Sequence, residues 1–312
     1  MTGSIDRRIV LGVLAGLAFA SRVAAQDTPV PATDEPRLLN NLLTRMSLYV
    51  SVNGNARRPF VVDTGAGATV ISTELATELA LPPGPSVLVH GITSAEMAPT
   101  VHIGRLGIGG RRFNDLRCPV FPRALLGADG LIGLDVLARF RLNFDLARNS
   151  IRLTPSGRDV LTSSDAFATA SRLSREGRPA RRGRFGQLIL TSASAGGQPV
   201  DVFVDSGAQY SIGNTALLRA VGLDTTLGER IEVYGVTGQV QTARAGIAPD
   251  LVISNQRLGD TPLLFADLHA FEALELTDRP ALLIGADLLF RFRRVLLDFG
   301  RSRIALSGLR RS

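Results

Sequence analysis

Short apolar runs punctuated by glycine and proline recur along the chain, while few stretches sustain the 3.6-residue period of an amphipathic helix. That pattern predicts an all-β protein. Helical candidates are confined to Thr73–Ala80, Leu134–Arg139, Asn214–Val221 and Ala286–Arg291. Two of the apolar runs are nearly the same: Phe60-Val61-Val62-Asp63-Thr64-Gly65-Ala66 and Val202-Phe203-Val204-Asp205-Ser206-Gly207-Ala208. Each reads as a strand that ends in an acidic turn and leads to a second short apolar run. An aspartate at the end of a buried strand is costly unless something uses it.

The likeness continues downstream. Leu131-Ile132-Gly133-Leu134-Asp135 follows the first acidic turn, and Leu283-Ile284-Gly285-Ala286-Asp287 follows the second. Both copies then run through a basic, aromatic segment, Phe140-Arg141 or Phe292-Arg293-Arg294, into final strands at Ile151–Leu153 and Ile304–Leu306. Between the acidic turn and the Leu-Ile-Gly run lies a glycine-centred hairpin, Val89-His90-Gly91-Ile92-Thr93 in one copy and Val233-Tyr234-Gly235-Val236-Thr237-Gly238 in the other. Four landmarks in the same order, twice, identify an internal duplication. A single Asp-[Thr/Ser]-Gly triplet would be an ordinary turn, with glycine supplying backbone freedom and aspartate bonding its own loop.

With both motifs in place, the chain resembles the aspartic proteases, in their retropepsin-like and pepsin-like forms. The resemblance runs from about Leu38 to Leu309 and implies a bilobal acid-protease fold: two pseudo-twofold-related β-barrel lobes with a few short helices. It implies that Asp63 and Asp205 face each other as a catalytic dyad. Thr64 and Ser206 would lock the lobes together beneath them, and Gly65 and Gly207 would let the backbone N–H groups reach the carboxylates. The hairpins, with His90, Gly91 and Ile92 in one and Tyr234, Gly235 and Val236 in the other, would be flaps that each close over substrate from their own lobe. Tyr234-Gly235-Val236-Thr237-Gly238 is the more similar of the two to the pepsin flap, although pepsin carries its flap in the first lobe.

The chemistry requires both copies. Hydrolysis of a peptide bond without a covalent intermediate needs a base to activate water and an acid to protonate the substrate, and two carboxyls sharing one proton supply both. The expected function is therefore an aspartic endopeptidase acting on peptides or proteins, with no cofactor and no metal. The alternative is a non-catalytic peptide-binding protein on the same fold, although retention of Asp, hydroxyl and Gly in both copies argues against lost turnover. Pairing of two chains lobe to lobe is a further arrangement, against the expected monomer with internal pseudo-twofold symmetry.

A length of 312 residues exceeds what one core usually supports. The expected divisions are a signal peptide over 1–25, a disordered spacer over 26–37, lobes over 38–155 and 185–309, and a linker over 156–184. Arg7 and Arg8 precede an apolar run from Ile9 to Ala20, with Val23-Ala24-Ala25 offering small residues for cleavage. The run is too short to span a bilayer. Either a twin-arginine or a Sec signal fits, as does an uncleaved anchor. Export to the periplasm or the medium is expected, without stable membrane insertion after cleavage.

The formal charge of +7 falls to +5 when Arg7, Arg8 and Arg22 are removed together with Asp6, and every basic side chain is arginine because the chain has no lysine. Nucleic-acid binding would need stacking aromatics on a basic face, and the chain has no tryptophan and three tyrosines. Cys118, the only cysteine, lies between apolar neighbours and reads as a buried core residue. His90, His102 and His269 match no zinc spacing and read as structural or surface residues.

Overall fold

The computed structural model describes residues 39–40, 45–156, 178–184, 186–224 and 228–310. The expected signal peptide and spacer, and all but the ends of the expected linker, lie outside the described residues. Among the described residues no helix is long and apolar enough to cross a membrane.

Each acidic turn grows out of a strand buried on both faces. In the first copy Arg58–Val62 lies parallel to Gly130–Ile132, with Phe60 opposite Gly130 and Val62 opposite Ile132, and Val70–Ser72 runs antiparallel on the far side. Phe60, Val61, Val62, Leu131 and Ile132 are all buried, which is why both runs are continuously apolar and do not alternate. The second copy repeats this, with Gln198–Val204 parallel to Ala281–Ile284 and antiparallel pairing to Ile212–Gly213.

Each sheet closes on itself. In the first lobe the order Met46–Val52, Arg58–Val62, Gly130–Ile132, Val70–Ser72, Arg111–Phe121, Ala95–Ile108 returns to Met46–Val52 through Val50 opposite Ile108. In the second, Leu188–Ala195, Gln198–Val204, Ala281–Ile284, Ile212–Gly213, Gln256–Phe265 and Val240–Ile253 close through Ala193 opposite Ile253. These are the two expected barrel lobes. The turn after each acidic strand is followed by a short helix with its own cap: Ser72 accepts the Leu75 N–H ahead of Thr73–Glu78, and Asn214 accepts the Leu217 N–H ahead of Thr215–Ala220.

A further sheet joins the lobes. Phe140–Asp145 pairs antiparallel with Phe292–Asp298, placing Phe144 opposite Val295 and Leu142 opposite Leu297, and each brings its own hairpin partner, Ser150–Pro155 or Arg303–Leu309. These apolar faces merge into one core with both barrels. Two ion pairs are related by the pseudo-twofold of this sheet. Arg141 with Asp298 is buried, at 3.0 Å, whereas Arg294 with Asp145 lies at the surface at 4.0 Å.

Three features differ from the sequence reading. Arg178–Arg182, assigned above to the linker, is a strand that pairs with Leu188–Leu190 on one side and Arg303–Ile304 on the other. Helices at Arg123–Leu126 and His269–Ala273 were not expected; at four and five residues they are too short to show a period. Cys118 is buried in the first-lobe core as expected, and burial pushes its thiol far above the usual range.

Candidate active site

The two acidic turns meet where the barrels face each other, and Asp63 and Asp205 are both buried there. Each carboxylate is held from below by its own turn. Asp63 Oδ1 accepts the Gly65 and Ala66 N–H groups at 2.9 and 2.8 Å, and Asp205 Oδ1 accepts those of Gly207 and Ala208 at 2.9 and 3.1 Å. The two carboxyls are hydrogen-bonded to each other between the lobes. The approach is close enough to demand glycine. A Cβ on Gly65 would sit 2.5 Å from the Asp205 carboxyl carbon, and one on Gly207 would crowd the Asp63 carboxyl as badly. Each glycine thus clears space for the opposite lobe's aspartate.

Below the carboxyls, the Thr64 and Ser206 hydroxyls make four hydrogen bonds between the lobes. Thr64 Oγ1 donates to Val204 O at 2.8 Å and Ser206 Oγ to Val62 O at 2.6 Å, while each hydroxyl accepts the other residue's N–H. A second tier supports each turn from within its lobe. Asp135 accepts from the Thr69 N–H and hydroxyl at 2.9 and 2.7 Å, and Asp287 accepts from those of Ser211 at 3.0 and 2.5 Å. Sequence reasoning quoted Asp135 and Asp287 without giving them a role. The signal was available, since Thr69 and Ser211 stand at the same offset from Asp63 and Asp205, and Asp135 and Asp287 each stand two positions after the glycine of Leu-Ile-Gly.

Residues 48–139 match the family described as "gag-polyprotein putative aspartyl protease" and residues 191–288 match the family described as "Aspartyl protease", one in each barrel. The chain belongs to the aspartyl protease family. Among solved structures it is similar to a retropepsin-like aspartic protease from Rickettsia conorii, at 23% identity and a TM-score of 0.25 over 33% of this chain and 76% of that one. It is also similar to Basic 7S globulin from soybean, at 12% identity and a TM-score of 0.41 over 88% of this chain and 94% of that one. No curated protein matches the chain in sequence.

Both hairpins of this aspartyl protease chain are present, Pro83–His90 with Ala95–Ile108 and Arg230–Tyr234 with Val240–Ile253. Their tips cross. Ile92, from the first lobe, packs on the second-lobe cluster that holds Phe271 and Leu274, and its carbonyl accepts the Ala270 N–H at 3.2 Å. Val236, from the second lobe, packs on the first-lobe cluster that holds Phe121 and Leu126. The two unexpected helices are therefore the supports on which the opposite hairpins rest. Ser94 Oγ and Thr237 Oγ1 bond tip to tip at 2.8 Å, and Gly235 lies against the Thr93 side chain with no room for a Cβ. Loop tips beyond the last strand pair have no core of their own, and the facing lobe supplies it.

Tyr234 stands on the face of its hairpin opposite the buried one. Val233 is buried, so strand alternation turns Tyr234 outward, where it is 58% exposed and donates to Glu232 at 2.7 Å. His90 likewise lies on an outer face, yet it is bonded across the lobes, Nδ1 to His269 Nε2 at 2.9 Å. His102 sits at the surface 3.6 Å from Asp115.

Two residues beside the dyad were not singled out from sequence. Arg45 and Gln187 each stand eighteen positions ahead of their lobe's aspartate. Both are buried, and each reaches across to the opposite turn, Gln187 Nε2 to Gly65 O at 3.0 Å and Arg45 Nη1 to Gly207 O at 3.4 Å. Arg45 Nη2 also donates to Leu126 O at 2.5 Å. Burial raises both aspartates above the usual carboxylate range. Asp205 is raised further because the Asp63 charge adds to its burial, whereas hydrogen bonds and the Arg45 cation offset part of the rise at Asp63. Two carboxyls this close share a proton and titrate as a pair.

Proposed function

We propose that the chain is an aspartic endopeptidase that hydrolyses peptide bonds with water activated between Asp63 and Asp205. The observation that carries this reading is the mutual approach of two buried, hydrogen-bonded carboxyls, each seated over the other lobe's glycine. Two such groups hold one proton between them at moderately acidic pH. A water between them loses a proton to the ionised carboxyl as its oxygen attacks the peptide carbonyl carbon. The protonated carboxyl gives its proton to the carbonyl oxygen, producing a tetrahedral diol. The carboxyl that took the water's proton then gives it to the amide nitrogen, while a diol hydroxyl returns its proton to the other carboxylate. The carbon–nitrogen bond breaks, releasing carboxylic acid and amine, and the dyad regains its starting state. The four-bond Thr64–Ser206 grip fixes the carboxyls, and the crossed hairpins roof the space above them and exclude water.

The substrate class is a peptide or protein chain in extended form, which hairpin strands bind through main-chain hydrogen bonds. Digestion of a denatured peptide library by the native chain, compared with Asp63→Asn and Asp205→Asn, tests the reading. Each variant should lose cleavage completely, and the double variant should be no worse, because residues acting as one unit are non-additive. Near-normal turnover in either single variant would refute a shared dyad. Peptide binding with no cleavage by the native chain would leave a binding protein on this fold.

A further inference from the structure

The pseudo-twofold that relates the two acidic turns extends to their hydrogen-bonded amides, their hydroxyl grip and the second tier of Asp135 and Asp287. It fails at one pair of positions. Where the second lobe presents the neutral Gln187 amide to Gly65 O, the first lobe presents the Arg45 guanidinium to Gly207 O. Gly207 packs against the Asp63 carboxyl while its N–H holds Asp205 Oδ1, so the cation stands beside the pair where the other lobe offers only a neutral amide. The guanidinium is buried, held by the Gly207 and Leu126 carbonyls, and its charge acts on Asp63 before Asp205. The other groups facing the pair are the backbone N–H donors of Gly65, Ala66, Gly207 and Ala208, which are matched between lobes.

We infer that Arg45 is a positioning residue that breaks the symmetry of the dyad, holding Asp63 as the carboxylate that receives the proton of water and leaving the shared proton on Asp205. A cation close to one of two otherwise equivalent carboxyls favours the ionised form of that one. With equivalent carboxyls half of the singly protonated population would carry the proton on the wrong partner for a given substrate polarity. The cation also lowers the energy of every ionised state of the pair, so the dyad reaches its working state at lower pH than two buried carboxyls would alone. The same position in the second lobe shows that glutamine can make the cross-lobe carbonyl bond, so charge can be removed without removing the contact.

The inference rests on the peptidase reading, and the test separates the two. Aspartate labelled with 13C at Cγ is incorporated, the two dyad resonances are assigned with Asp63→Asn and Asp205→Asn, and their titration is followed by NMR. In the native chain Asp63 should take most of the first ionisation and Asp205 the second. Arg45→Gln should move the first ionisation up by about one pH unit and divide it more evenly between the two resonances. Arg45→Lys should restore the native pattern, which a purely structural contact would not predict. Gln187→Arg should move the first ionisation down, and it carries the test with opposite sign should Arg45→Gln fail to fold. The acidic limb of the turnover profile should follow each shift. Unmoved resonances in folded Arg45→Gln, or first ionisation at Asp205 in the native chain, would overturn the role of Arg45 while turnover stood. Absence of turnover with the shifts intact would overturn the peptidase reading alone.

Discussion

Thr64 and Ser206 hold each other reciprocally: the Thr64 hydroxyl accepts the Ser206 N–H at 3.1 Å, and the Ser206 hydroxyl accepts the Thr64 N–H at 3.2 Å. Each hydroxyl then spends its own proton on a carbonyl of the opposite lobe. All four bonds are buried, so removing one hydroxyl strands two polar groups, a carbonyl and an N–H of the opposite lobe. Thr64→Val and Ser206→Ala should each cost about 1–3 kcal/mol in stability, read as a fall in Tm. The double variant should cost less than the sum, because both break the same network. A Tm unchanged in either single variant would mean that the grip is ornamental.

Gly65 and Gly207 make a sharper test of the site, because their side of the contact is steric and carries no proton of the reaction. Gly65→Ala or Gly207→Ala should drive the opposite aspartate away by roughly the 1 Å that separates the present distance from van der Waals contact. Displacement on that scale is expected to lower kcat by about 100-fold with a smaller change in KM. Equal losses at the two positions, measured with one peptide substrate, would reflect the reciprocal packing; full activity in either variant would contradict it.

The parts of this site that are legible in sequence are those where local backbone chemistry and the duplication coincide. Asp63, Thr64 and Gly65 form a turn after a buried strand, and the repetition at Asp205, Ser206 and Gly207 marks the turn as special. The continuous apolar runs at Phe60–Val62 and Leu131–Ile132 likewise announced buried strands. Arg45 and Gln187 were illegible because their partners are backbone carbonyls, which impose no residue pattern on the sequence. Arg178–Arg182 was read as linker because a strand held between two hairpins by backbone bonds, with most of its side chains exposed, needs no apolar alternation. The crossing of the hairpin tips is a tertiary fact, and nothing in Gly91-Ile92-Thr93 says which lobe supplies its core.

That crossing predicts two equivalent flaps. Ile92→Ser and Val236→Ser each remove apolar contact worth about 1–1.5 kcal/mol from a closed state that must form over substrate, so each should raise KM by up to about tenfold. Tyr234→Phe should leave both constants near native, since the phenol bonds Glu232 on the outer face. Steady-state kinetics on all three variants decide the matter. A strong effect confined to Tyr234 would restore the single-flap expectation.

Two buried acidic sites push the pH dependence of stability in opposite directions. At Asp298 burial acts to raise the carboxyl, but donors from the Ser156 hydroxyl, the Arg301 N–H and Arg141 outweigh it, and the group lies below its usual value. Its stabilisation is complete above the unfolded carboxylate value of about 4 and is lost as pH falls through the folded value. Asp63 and Asp205 lie above their usual value chiefly through burial. The folded state there retains protons that the unfolded chain would release, so stability present below pH ~4 is lost as pH rises through the folded values. Asp298→Asn should therefore lower Tm at neutral pH and matter less in acid. Asp205→Asn should raise Tm at neutral pH and change it little near pH 4, because asparagine occupies the carboxyl's space without demanding a proton. Thermal melts of the native chain and both variants at the two pH values measure this directly. A fall in neutral Tm for Asp205→Asn would show that the dyad stabilises the fold, and that the approach of its carboxyls costs the protein nothing.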